Sequence, residues 1–361
     1  MGIKDGGIVS FLNKKRFYMS AVSFASIAVP AERIERKSVQ NTVLDVMKRI
    51  LQNDDLKTGF WYPHQYYEVL RKTGMNEKRI EWFRSRGHFF HGYLPHKFFQ
   101  HTIDGNPAHK RSPTGKITDF EMIPSAIPSE AMDVLFKELA LIDCANACQI
   151  AMYQAIREVI GDEKFNRLFQ GKIRIGDYEN PAHPLNPFLI SCHDGSHPLT
   201  KWVRSTEDRA VGTRMLRNEL SRIPVGARVV FTNVDHYGNK HPIGSSAAFN
   251  VIKAGEDEYY AFRISKDIVN EKEICNYLIQ GFNNDCISAD HLNDKTAQWY
   301  KTYSRQYADY VSLKVKDFER EGGGLYPFSG KVLDEALIQE IAKLPLEKIS
   351  WDAIAALKKS L

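Results

Sequence analysis

Cys144 lies in the segment Ile142–Asp143–Cys144–Ala145–Asn146–Ala147–Cys148, and the residues around it bear on its chemistry. Asp143 is a favoured helix N-cap type, which places Cys144 in the first turn of the helix it opens. Unpaired backbone amides and the positive end of the helix dipole stabilise a thiolate there and lower its pKa. The thiolate is the reactive form of cysteine, so this is a setting for a nucleophile. A second reading fits the same residues. Cys144, Cys148, Ala151, Met152, Ala155 and Val159 share one helical stripe, where a cysteine serves as a small hydrophobe. Cys148, one turn deeper, reads as core.

The elements that must hold this segment flank it on both sides. A helix is predicted from Cys144 to Ile160, with Gly161 suited to its C-cap. An earlier helix opens at Pro128–Ser129–Glu130 and runs through Leu139. Strand-like runs follow at Ile173–Ile175, Arg228–Thr232, Ala248–Lys253 and Tyr259–Ile264, rich in Val, Ile, Phe and Tyr. The turn Ala254–Gly255–Glu256–Asp257 makes the last two a hairpin. Helices followed by several strands predict an α+β fold with helices packed on an antiparallel sheet. Upstream, Val39, Val43, Val46, Met47 and Ile50 recur at helical spacing. Short helices are predicted over Pro63–Arg71 and Glu77–Arg84, and residues 104–116 read as an exposed loop. The tail after Gly322–Gly323–Gly324 reads as helical, with Ser350 as an N-cap.

Composition narrows the class. The 361 residues are 43% apolar and 26% charged, which is globular usage and excludes disorder. A net charge of +5 is too small to mark an obligate nucleic-acid binder. Five cysteines without scaffold spacing read as free thiols. No stretch approaches the roughly 20 apolar residues of a membrane span. Residues 17–31 have a basic flank but are interrupted by Tyr18, Ser20, Ser23 and Ser26, and read as a buried strand or hairpin. The chain is expected to be soluble and cytoplasmic, with export as an effector by a signal-independent route left open.

The stretch DCANACQIAMYQAIREVIGDEKFNRLF resembles the active-site helix of the bacterial spore-coat-type protein-glutamine gamma-glutamyltransferases (transglutaminases). That family shows an acidic residue, Cys-Ala-x-Ala, and an apolar helix ending in Ile-Gly-x-x-Lys-Phe-Asn. Further motifs follow in order. Pro128–Ser129–Glu130–Ala131 resembles the opening of the preceding helix. Ile173–Arg174–Ile175–Gly176–Asp177 resembles the following strand. Gly226 to Asn233, Phe249–Asn250–Val251–Ile252 and Gly255 to Tyr259 resemble Gly-Asp-x-x-Tyr-Phe-x-Asn, Glu-Asn-x-Ile and Gly-Glu-Asp-Lys-Tyr. The resemblance covers about residues 127–285.

The resemblance implies an NlpC/P60-like (papain-like) domain, with a catalytic-type cysteine at a helix N-terminus packed on an antiparallel sheet. It implies a Cys144 thioester with a glutamine of a protein substrate. A lysine amine of an acceptor protein resolves it in cross-linking, or water resolves it in deamidation. No cofactor or metal is required. Asp143 takes the place of the family's acidic neighbour. The family's strand glutamate, however, aligns with Phe249, and its next-strand histidine with Phe262. Replacement partners are His241 and His236 in the turn DHYGNKHPIG, Asp235 beside them, and His183 or His193. A histidine titrates in the range that suits a thiol base. His241 is preferred, because its loop feeds the strand expected to face Cys144. Without a partner the domain would be a degenerate enzyme serving as a protein-interaction module. A thiol amidase or peptidase is the third alternative.

Two weaker signals complete the reading. Residues 81–101 mix basic and aromatic side chains with His88, His91, His96 and His101. Single-stranded nucleic acid or zinc could use such residues, but no HExxH spacing accompanies them and helix packing explains them. Ser191–Cys192–His193–Asp194–Gly195 reads as a polar turn, since adjacent residues point in different directions. The expected organisation is a mostly helical N-terminal region over 1–125, the transglutaminase-like cysteine domain over 126–290, and a helical extension over 291–361.

Overall fold

Helices made far apart in the chain converge on the one that Cys144 opens. The computed structural model describes residues 38–58, 71, 76–78, 81, 93–101, 120–176, 197–205, 223–241, 246–284, 313–325 and 330–361. All of them fall within the unit Lys37–Leu361. The principal helices are Val39–Gln52 (α1), Pro128–Val134 (α2), Cys144–Ile160 (α3), Asp162–Phe169 (α4), Glu271–Asn283 (α5), Glu335–Lys343 (α6) and Trp351–Ser360 (α7). The segments 17–31, Pro63–Arg71, Glu77–Arg84, 104–116 and 191–195 lie wholly or largely outside the described residues. So do His183 and His193.

α3 is buried on nearly every face, and its buried polar side chains Asn146, Gln149, Gln154 and Arg157 are each hydrogen-bonded. Its alanines let neighbours approach closely. α1 packs on it through Val39, Val43, Val46, Met47 and Ile50, each fully buried. α6 covers it with Leu337, Ile338 and Ile341. Segments far before and far after the cysteine helix in the chain therefore share one apolar core with it. Arg157, near the end of α3, is bound by Asp133 of α2 at 2.5 Å and by Asp162 of α4 at 2.7 Å. That joins three helices by charge-assisted bonds.

Two small sheets use the earlier strands. Leu56–Thr58 (β1) pairs in parallel with Ala140–Ile142 (β4). Phe99–His101 (β2), Phe120–Met122 (β3) and Arg174–Ile175 (β5) form a three-stranded sheet. The main sheet is antiparallel throughout. Its strands are Val203–Ser205 (β6), Arg228–Thr232 (β7), Ala248–Lys253 (β8), Tyr259–Tyr260 (β9), Ile268–Val269 (β10), Gly324–Leu325 (β11) and Lys331–Leu333 (β12). They lie in the order β10-β9-β8-β7-β12-β6, and β11 also pairs with β7. The β8–β9 hairpin forms across the expected turn, in the register Ile252↔Tyr260.

The helix expected through Leu139 stops at Val134. Ala140–Ile142 is fully buried and paired with β1, so strand pairing wins over continued helix. The tail expected to be helical also contributes β12, which enters the sheet between β6 and β7.

Pleating divides the main sheet between two apolar clusters. Ile252 joins the cluster of α1, α3 and α6, whereas Phe249, Val251, Val229 and Phe231 join that of α5. At the foot of β7, Gly226 has φ +80, and a Cβ there would sit 2.9 Å from the Gln40 Cβ on α1. Glycine is required for both reasons.

Candidate active site

Asp143 caps α3 in a reciprocal box. Its Oδ1 accepts from the Asn146 backbone N–H at 2.7 Å, and the Asn146 Oδ1 accepts from the Asp143 N–H at 3.1 Å. Two of the helix's unpaired donors are satisfied this way. The box fixes where α3 begins and thus where the Cys144 side chain emerges.

The sulfur rests on the edge of β8. The Asn250 backbone N–H donates to the Cys144 Sγ at 3.3 Å, and the Asn250 Nδ2 lies 3.7 Å from it. Sheet geometry explains why that amide is available. The Lys253 N–H points to β7, donating to the Ala227 oxygen at 2.9 Å. By alternation, the N–H groups of Asn250 and Ile252 point the other way, toward β9. β9 pairs with β8 only as far as Ile252. The next outward N–H, that of Asn250, meets the sulfur instead of a strand.

Asn250 is itself held. The Arg228 Nε donates to its Oδ1 at 3.0 Å, and Arg228 is 2% exposed. An amide that accepts from a guanidinium at Oδ1 must turn its NH₂ away, here toward the sulfur. Arg228 therefore fixes the orientation of the Asn250 amide toward the sulfur.

The thiol is pushed up to about 11, first by burial and then by the Asp143 carboxylate. The Asn250 donors and the Arg263 guanidinium act in the opposite direction. Burial outweighs the helix N-terminus, so the resting group at neutral pH is the thiol. This corrects the sequence expectation that its position at the helix start lowers the thiol pKa. That expectation counted the helix amides but not the loss of water around the sulfur, and Cys144 is only 6% exposed.

Of the four site residues expected from sequence, Asp143 and Cys144 stand together. His241 is 4% exposed, and its Nε2 lies 2.7 Å from the Phe282 carbonyl oxygen at the end of α5. The His236 ring stands edge-on to Phe282, and burial lowers its pKa. Neither histidine is among the groups that hydrogen-bond to the Cys144 sulfur or act on its charge. Both follow the end of β7, whereas the sulfur lies against the middle of β8. Phe249 is 1% exposed, shares the apolar cluster of Cys144 and meets the Tyr277 ring at 5.2 Å. Phe262 packs in the cluster of α3. Asn233, in the motif resembling Gly-Asp-x-x-Tyr-Phe-x-Asn, ties the sheet to α5, because its Nδ2 donates to the Ser246 and Leu278 oxygens at 2.9 and 2.7 Å.

Asn250, Arg228 and Arg263 are the polar residues that sequence reasoning did not assign. Asn250 and Arg228 lie in motifs that carry the family resemblance, but only the β7–β8 register brings them diagonal to one another. Among the described residues, no group of three or more His, Cys, Asp or Glu side chains is placed to hold a metal ion. No helix among them is long and apolar enough to cross a membrane.

Comparison with known proteins gives two findings. A family model described as protein-glutamine gamma-glutamyltransferase matches residues 108–308. Among solved structures, the chain is similar to a transglutaminase from Geobacillus stearothermophilus (without C-terminal extension). The two share 14% identity over 85% of this chain and 95% of that one, with a TM-score of 0.42. No curated protein matches.

Proposed function

The chain belongs to the protein-glutamine gamma-glutamyltransferase family, and from that premise we propose that Cys144 forms a thioester with a glutamine side chain of a protein substrate. The observation that carries the reading is the Cys144 sulfur at the start of α3, held by the N–H donors of Asn250. Such donors stabilise sulfur as it gains negative charge. In the first step the sulfur attacks the glutamine Cδ, the C–N bond breaks, and ammonia leaves with the thiol proton. A lysine amine or water then attacks the thioester. An isopeptide bond or a glutamate results, and the thiol is regenerated. The reading includes an NlpC/P60-like arrangement of spore-coat type, supported by a cysteine helix laid on an antiparallel sheet.

A second reading, a degenerate domain kept as a protein-interaction module, is favoured by the raised thiol and by the apolar Phe249 at the family's carboxylate position. The experiment that separates them incubates the protein with a glutamine-rich acceptor and a primary amine, followed by peptide mass mapping. Amine incorporation at glutamine, lost in Cys144→Ala, is expected. A gain of about one dalton without amine would assign the water branch of the same thioester. Unmodified acceptors across a range of proteins would leave the interaction module as the reading.

A further inference from the structure

Arg263 has φ +88 and is the one non-glycine residue with positive φ among the described residues. Its conformation follows from the turn that carries it. The Ile264 N–H donates to the Ala261 oxygen at 3.1 Å, which makes Arg263 the third residue of a four-residue turn. A positive φ at that place is the mark of a type II turn, where glycine is the fitting residue. An arginine there is held against its own backbone preference, and such strain collects at functional sites.

The turn stands at the site. Extending the β8–β9 register of Ile252↔Tyr260 by two residues puts Phe262 opposite Asn250. The chain leaves the sheet at that point, and Arg263 is the next residue. Its guanidinium lies 5.5 Å from the centre of the Tyr277 ring, which in turn meets Phe249 at 5.2 Å. Arg263, Tyr277 and Phe249 thus form a file beside the edge of β8 where the sulfur rests.

We propose that Arg263, strained into the turn at the end of β9, is the cation that stabilises the Cys144 thiolate in place of the acid–base partner lost at Phe249. This rests on the reading of Cys144 as the nucleophile. Among the described residues, the charged and titratable groups facing the sulfur are Asp143 on its own cap, Arg263 from the β9–β10 turn and Tyr277 from α5. Arg228 of β7 reaches it through Asn250. Among the described residues, Arg263 is the cation whose charge acts on the thiol directly; it is the smallest of the influences there and opposes both burial and Asp143. Burial pushes the Tyr277 hydroxyl up; the Arg263 guanidinium works against that rise, and a charged Cys144 would add to it.

The test is the pH dependence of iodoacetamide alkylation at Cys144, read by peptide mass mapping on the full chain. Arg263→Gln, Arg263→Lys and Arg263→Gly are compared with the wild type. Arg263→Gln is expected to slow alkylation at pH 9 by about threefold, a smaller change than the loss of the Asp143 charge would make, and to move the profile to higher pH. Arg263→Lys is expected to stay within about twofold of the wild type at pH 9, where a lysine still carries its positive charge. Arg263→Gly is expected to slow alkylation as Gln does, while raising the melting temperature by about 2 °C as the backbone strain is relieved. Should Arg263→Gln fail to fold, the glycine variant decides. An unchanged profile in the folded neutral variants would overturn the proposal. So would a lysine variant shifted as far as glutamine, since the effect would then belong to packing on Tyr277. Alkylation needs no glutamine substrate. A wild type that reacts as described but never modifies glutamine would therefore refute the transferase reading and leave this one standing.

Discussion

Replacing Asp143 with asparagine should make Cys144 more reactive, against the usual expectation that an acidic neighbour of a nucleophile assists it. The substitution keeps the capping geometry. Asparagine is an N-cap as good as aspartate and can accept from the Asn146 N–H in the same way. The other half of the box uses the residue-143 backbone and is untouched. Loss of the carboxylate charge at the helix N-terminus costs about 0.3–1 kcal/mol. What changes at the sulfur is charge. The thiol stands at about 11 against an ordinary 9.0, through burial first and Asp143 second. Burial remains in the variant, so the thiol does not return to its ordinary value. Removing an adjacent like charge in a buried setting is worth about one pKa unit, or about 1.4 kcal/mol. At pH 8 the wild-type thiolate is about one part in a thousand, and the variant should carry about ten times more. The assay is the pseudo-first-order alkylation rate of Cys144 between pH 7 and 11, with the half-buried Cys275 as an internal control. Stability should follow with a definite sign. A raised thiol favours the folded state below pH 9, and that contribution is lost as pH rises through about 11. The loss should be smaller in Asp143→Asn. An alkylation rate at pH 8 equal to or below wild type, in a variant with intact circular dichroism, would refute the electrostatic account of this site.

Two further substitutions probe the frame. Gly226→Ala should destabilise by about 1–3 kcal/mol in denaturant titration, because it adds a Cβ at positive φ against Gln40 of α1. A loss under about 0.5 kcal/mol would show that α1 is not pressed on the sheet there. Leu337→Ala removes a fully buried side chain from the α6 face that covers α3, and should cost about 2–5 kcal/mol. A melting temperature matching wild type would show that the C-terminal helices are dispensable to the core.

The parts legible in the sequence are those set by local periodicity and capping. The stripe from Val39 to Ile50 marks α1. Alternation around the turn Ala254–Asp257 marks the β8–β9 hairpin, and Ser350 caps α7 with its hydroxyl on the Ala353 N–H. The polar surroundings of Cys144 were not legible, because register and strand ends create them. Asn250 reaches the sulfur only because β9 stops pairing at Ile252. Arg263 occupies a turn position whose usual sequence mark is glycine, so no motif announced the turn. His241 looked close because its loop feeds β8, but proximity along the chain does not say which part of a strand the sulfur meets. β12 escaped for a related reason. Three residues in a helical tail carry no strand signature of their own, and pairing with β6 and β7 makes them one.

The place of β12 also orders events during synthesis. Lys331 pairs with Arg228, the residue that turns Asn250 toward Cys144. α6 follows at once and closes the core over α3. A ribosome that has finished everything through α5 has made the thiol, its cap and its donor strand. It has yet to deliver the strand that lies beside Arg228 or the helix that covers α3. The cysteine helix then has an uncovered apolar face, and the sulfur's donors lack their backing. Domains fold as units once their parts are available, so the site should mature only after the C-terminal segment has emerged. A nascent chain would then carry the cysteine in an unassembled setting, and the assembled site would belong to the completed molecule.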